Sequence, residues 1–186
     1  SSPARLGQPE IREWVRHLTL ETSVSPQRLR QHFAALKFLY GKTLGRPEVV
    51  SFVSWPKDPK RLPTVLSPAQ VQVLLGAIES PRFRVLFALV YGTGVRIGEA
   101  CRLEVGHIDS ARGVIRVIGK GNKERLVMLS PRLLLILRAY WKQEKPAAPY
   151  LFTTRKGTPI DRDHARKVLQ RAAADSGLGF RVTPHA

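Results

Sequence analysis

The sequence predicts a mainly α fold carrying a small three-stranded antiparallel sheet, an α+β class. Apolar residues recur at helical spacing along most of the chain, whereas the stretch from Val105 to Leu129 changes to short strand-like runs. Turn signals at Ser110 to Gly113 and at Gly119 to Asn122 divide that stretch into three pieces. With 186 residues, 43% of them hydrophobic, the chain can build one large domain or two small ones.

The first helix runs from Gln8 to about Leu20, where Ile11, Trp14, Val15 and Leu18 share a face. Ser25 and Pro26 cap the second, whose stripe is Leu29, Phe33, Leu36 and Tyr40, with Gly45 and Pro47 ending it. These elements place a first domain over residues 1–53. Residues 54–66 contain Trp-Pro-Lys-Asp-Pro-Lys-Arg-Leu-Pro, too stiff and polar for a helix or central strand, and read as a basic linker.

A second domain occupies residues 67–186. Ser67-Pro68-Ala69-Gln70 has the form of a capping box, and Val71, Leu74, Leu75 and Ile78 supply a buried face. Phe83 to Tyr91 is apolar nearly all round and therefore a central helix, stopped by Gly92-Thr93-Gly94. A short helix spans Ile97 to Glu104, followed by strands over Val105 to Asp109, Val114 to Ile118 and Glu124 to Leu129. Ser130-Pro131 opens a leucine-rich helix to about Gln143, Asp161 caps one that ends at Gly177, and Thr183-Pro184 starts a last one.

Thirty-one Lys and Arg against fourteen Asp and Glu leave a net charge of +17, which a polyanion would offset. Nucleic acid is thus the leading partner, with a merely basic soluble protein or an RNA-associated one as the other classes. Arg28, Arg30 and Lys37 lie off the second helix's stripe, and Lys57, Lys60 and Arg61 line the linker. These are candidate DNA contacts, although a solvated helix face or a soluble linker would carry the same charges. No apolar run reaches the ~20 residues of a membrane span, so no membrane partner is inferred. The single cysteine, Cys101, excludes an internal disulfide and fits a reducing cytoplasm, the bacterial nucleoid included. The five histidines are scattered and never pair with cysteine or carboxylate at ligand spacing, so no metal and no cofactor is inferred.

Three stretches are chemically suggestive. In Thr93-Gly94-Val95-Arg96-Ile97-Gly98-Glu99, an arginine held between two helices would present a guanidinium fork suited to phosphate oxygens. Spacing alone favours a structural Arg96–Glu99 pair over that role. The hairpin Gly119-Lys120-Gly121-Asn122-Lys123 presents Lys120 either as a proton donor to a leaving oxygen or as a plain phosphate contact. His185, in Thr183-Pro184-His185, stands in the first turn of the last expected helix. Neither the glycines near Arg96 nor those near Lys120 have the spacing of a dinucleotide or nucleoside-triphosphate loop.

Taken in this order, "TGVRIGEACRLEVGHID", "GVIRVIGKGNKERLVML" and "TPHA" resemble the tyrosine recombinase or phage integrase family, especially its bacterial Xer and integron-type branch. The resemblance covers essentially residues 62–186. It implies that 67–186 form a recombinase catalytic domain, preceded by part of a helical, SAM-like core-binding domain. It also implies catalytic roles for Arg96, Lys120 and His185, with Glu99 as a supporting acid. Arg102, Lys123 and Arg125 gain no catalytic counterpart and stand as expected DNA-backbone contacts.

By the same resemblance the parent activity is site-specific cleavage and rejoining of double-stranded DNA through a 3′-phosphotyrosine, by a tetramer on DNA. The family's second arginine, later His or Trp and nucleophilic tyrosine would all follow His185, while Tyr40, Tyr91, Tyr140 and Tyr150 precede it. The expectation is a chain truncated at both ends that binds DNA without cutting it. The alternative is a DNA-binding regulator that kept the recombinase scaffold and lost catalysis.

Overall fold

The computed structural model describes residues 2–57, 65–119, 121–178, 182 and 183. The chain divides into two compact units, Ser1–Leu62 and Pro63–Ala186.

In the first unit, α1 (Gln8–Arg16) runs on into a π-helical turn, His17–Glu21, and α2 (Pro26–Phe38) into another, Leu39–Thr43. The Ser25 hydroxyl accepts the Arg28 amide at 3.4 Å and so closes the start of α2. Ile11, Leu29, Phe33 and Tyr40 form the core with Val49, Val50 and Val53. Those valines belong to a 3-10 turn, Pro47–Val50, and the bend after it, an element absent from the sequence reading. Pro47 ends one helix but presets φ for the next turn, so the break is also a start. The Tyr40 hydroxyl donates to Pro3 O at 2.8 Å, which satisfies a phenol that is only 1% exposed.

The second unit is built around α4 (Pro81–Thr93). Leu86 and Leu89 of that helix are fully buried against apolar residues of α3 (Pro68–Gly76), α6 (Pro131–Glu144), α7 (Arg162–Asp175) and the sheet. The Ser67 hydroxyl accepts the Gln70 amide at 3.2 Å while the Gln70 side chain accepts the Ser67 amide at 2.9 Å, the reciprocal box its sequence predicts. Ser67→Ala is expected to cost this unit about 1 kcal/mol, read as a lower urea midpoint at unchanged m-value.

The sheet runs in the order β1 (Ile108–Asp109), β2 (Val114–Ile118), β3 (Glu124–Met128) and is antiparallel throughout, with β2 paired to β3 from Val114 opposite Met128 to Ile118 opposite Glu124. Ile115 and Val117 point into the core, as period-2 alternation requires. The mainly helical class with one three-stranded sheet is therefore borne out.

Two boundaries depart furthest from expectation. Strand β1 is only Ile108–Asp109, and Val105–His107 is a 3-10 turn. The cause is a competing backbone partner: Val105 N–H donates to Pro149 O at 3.0 Å, and Leu151 N–H to Leu103 O at 2.8 Å. This pairing draws 103–105 away from β2. Likewise the short helix α5 (Ile97–Cys101) ends at Cys101, not Glu104. The pairing segment itself, unassigned from sequence, buries Leu151, Phe152, Thr153 and Ile160.

Candidate functional site

Arg96 is mounted by its neighbours. Gly94, at φ +66°, turns the chain out of α4 in a conformation that a side chain would strain, and its amide donates to Val90 O at 2.9 Å. Val95 and Ile97, on either side of Arg96, are each 5% exposed. The backbone is thus fixed in the core while the Arg96 side chain remains 70% exposed.

Glu99, one turn on in α5 (Ile97–Cys101), is the hub. Its Oε2 accepts the Arg96 amide at 2.9 Å, and its Oε1 accepts Arg96 Nη1 at 3.2 Å. Arg125, from β3, reaches the same carboxylate with both prongs of its guanidinium: Nη1 to Oε1 at 2.9 Å and Nη2 to Oε2 at 2.7 Å. The Glu99 side chain is 10% exposed, and the Arg125 hydrogen bonds, helped by Arg96, hold its pKa down at about 2 against the opposing effect of burial. The hairpin base closes on this hub. Gly119 N–H donates to Lys123 O at 2.8 Å, and a side-chain carbon at Gly119 would lie 3.5 Å from Glu99 Oε1.

The structure therefore brings Arg96, Glu99 and Arg125 together. The clamp by Arg125 is the feature that sequence reasoning missed, having read that residue as a backbone contact. A signal was present: Arg125 shares the inward-leaning face of β3 with Val127, and an arginine at such a position needs a nearby acid.

The remaining expected DNA contacts divide by environment. Arg28, Lys57, Arg102 and Lys123 are exposed. Arg30 donates Nε and Nη2 to Pro56 O at 3.2 and 3.0 Å, and Lys37 Nζ stands 5.5 Å from the Trp55 ring centre, so both already have intramolecular partners. Lys60, Arg61, Lys120, His185 and the last expected helix from Pro184 onward lie outside the described residues.

Cys101 is 2% exposed, and burial pushes its thiol up to about 11, which suits packing and not nucleophilic attack. Among the described residues, no group of three or more His, Cys, Asp or Glu is placed to hold a metal ion, and no helix is long and apolar enough to cross a membrane.

The Phage integrase family profile matches residues 64–186, and that of the phage integrase N-terminal SAM-like domain matches residues 1–49. A Sinorhizobium fredii protein named integrase/recombinase y4qK is 40% identical over 187 residues, covering 100% of this chain and 61% of its own length. A second S. fredii protein of the same description, y4eF, is 39% identical over 185 residues, covering 97% of this chain and 73% of its own length. Tyrosine recombinase XerD of Proteus mirabilis is 39% identical over 169 residues, which cover 84% of this chain and 53% of that protein. The chain thus spans about half to three quarters of these relatives.

Among solved structures, a lambda integrase tetramer bound to a Holliday junction matches 97% of this chain and 56% of its own at TM-score 0.79 and 15% identity. The Tn1549 transposon integrase in complex with circular intermediate DNA matches 100% of this chain and 71% of its own at TM-score 0.79 and 19% identity. These likenesses show the fold.

Proposed function

The chain belongs to the phage integrase family, the tyrosine recombinases, and from that premise we propose that it is the DNA-gripping part of a site-specific recombinase. The observation that carries this reading is the Arg96 mount: a cation on a locked backbone whose guanidinium remains open.

Such a group offsets charge growing on the non-bridging oxygens of a scissile phosphate without reorganising during the reaction. In the whole protein a tyrosine attacks the phosphodiester, giving a 3′-phosphotyrosine and releasing the 5′-hydroxyl. Lys120 protonates that departing oxygen, His185 adds a further hydrogen bond to the phosphate, and Glu99 holds the Arg96 backbone. Rejoining reverses the step on energy kept in the phosphotyrosine bond. Arg28, Lys57, Lys60, Arg61, Arg102 and Lys123 contact the duplex backbone, and the whole protein works as a tetramer on two duplexes.

The 186-residue chain itself binds duplex DNA without cutting it. Support comes from its tyrosines, all four of which stand ahead of His185 in the chain. A covalent protein–DNA adduct on a nicked suicide substrate would overturn this statement. With about 6–10 phosphate contacts, affinity is expected to fall about 10³–10⁵-fold between about 50 and 200 mM salt, measured by fluorescence anisotropy. A shallow salt dependence would argue against the duplex-backbone grip.

A further inference from the structure

Glu99 receives four hydrogen bonds, which fill the roughly four lone-pair sites of a carboxylate. Arg125 supplies the two-pronged, shorter pair at 2.7 and 2.9 Å. The Arg96 guanidinium supplies only the longest of the four, one N–H at 3.2 Å. Two arginines thus compete for one largely buried acid, and Arg125 holds the fork-to-fork position.

We infer that Arg125 is a positioning residue that keeps Arg96 available to phosphate by occupying Glu99 in its place. The inference rests on the functional reading of Arg96 given above. Its logic is charge balance. A carboxylate 10% exposed requires a cation, and without Arg125 the nearest one is the Arg96 guanidinium, already in contact through Nη1. Arg96 would then fold down onto Glu99 with two prongs and lose the open fork that makes it useful. Gly119, the first residue of the hairpin, lies beside the same carboxylate, where a side-chain carbon would come within 3.5 Å of Glu99 Oε1. Arg125 therefore acts through Glu99, with no contact of its own to a phosphate required.

Chemical modification of Arg96 in this chain tests the idea without catalysis. Phenylglyoxal attacks accessible guanidines, and its adducts can be counted at each arginine by peptide mass spectrometry. In the unsubstituted chain Arg96 is expected to react readily and Arg125 slowly. In Arg125→Gln, Arg96 should react up to about fivefold more slowly, the ceiling for an exposed ion pair. The double variant Glu99→Gln with Arg125→Gln should return Arg96 to the original rate, because no acid remains to capture it.

An unchanged Arg96 rate in folded Arg125→Gln, or slowing that persists in the double variant, would overturn the proposal. Arg82, whose side chain is 27% exposed with its Nε buried, reports folding by staying slow. Should Arg125→Gln unfold, Arg125→Lys decides: a single-point cation ought to give intermediate slowing at Arg96, and no change there rejects the inference. A separate arm adds mixed-sequence duplex DNA to the unsubstituted chain. Failure of the duplex to shield Arg96 would count against the functional reading, while the comparison of variants without DNA would still stand.

Discussion

Arg96→Ala, made in the recombinase together with its tyrosine, is expected to slow strand cleavage about 10²–10³-fold, the usual consequence of removing one preorganised donor to a developing oxyanion. Duplex affinity should change far less, because Arg96 is one cation among 31 Lys and Arg residues. The asymmetry follows from the mount. Buried Val95 and Ile97 fix the backbone, so the charge is already in place when the transition state forms. The check is single-turnover cleavage of a suicide substrate beside anisotropy binding to the same duplex. Equal losses in both would reduce Arg96 to a backbone contact, and unchanged cleavage would remove it from the site.

The second large effect concerns acid stability. Glu99 has its pKa lowered from 4.5 to about 2 in the folded chain, chiefly by the hydrogen bonds from Arg125. A carboxylate with a depressed folded pKa adds stability that is fully present above its unfolded pKa and is lost as pH falls through the folded one. Here the window runs from about pH 4.5 down to about pH 2. A shift of that size corresponds to about 3 kcal/mol at most. Glu99→Gln should therefore destabilise the second unit by up to about 3 kcal/mol near neutral pH and show a flatter stability profile between pH 4.5 and 2, meeting the parent curve at the acid end. Urea unfolding across that range measures it, and parallel curves for the two proteins would rule out the Arg125–Glu99 clamp as the source.

These two effects share a carboxylate that the sequence showed only in part. Arg96 and Glu99 were legible because a glycine turn sets them apart and their spacing brings them to one face of a helical turn. The partner that outcompetes Arg96 lies 26 residues from Glu99, and no local pattern links the two. Strand β1 shows the same limitation: Val105 to His107 has strand character in isolation, yet Val105 N–H pairs with Pro149 O and His107 N–H turns back onto Glu104 O. By contrast, β2 was legible to the residue, because alternation and the glycine turns at both ends agree.

What the sequence determined by itself was whatever short-range chemistry specifies: helix starts at Ser25, Ser67, Ser130 and Asp161, the β2–β3 hairpin, the central apolar helix and the turn that presents Arg96. Periodicity and capping act over a few residues and can be read there. Only the tertiary structure decided which cation Glu99 holds and that the hairpin base passes beside it. Those pairings depend on where β3 passes α5, and burial then makes the choice consequential, since a carboxylate 10% exposed cannot be left without its partner.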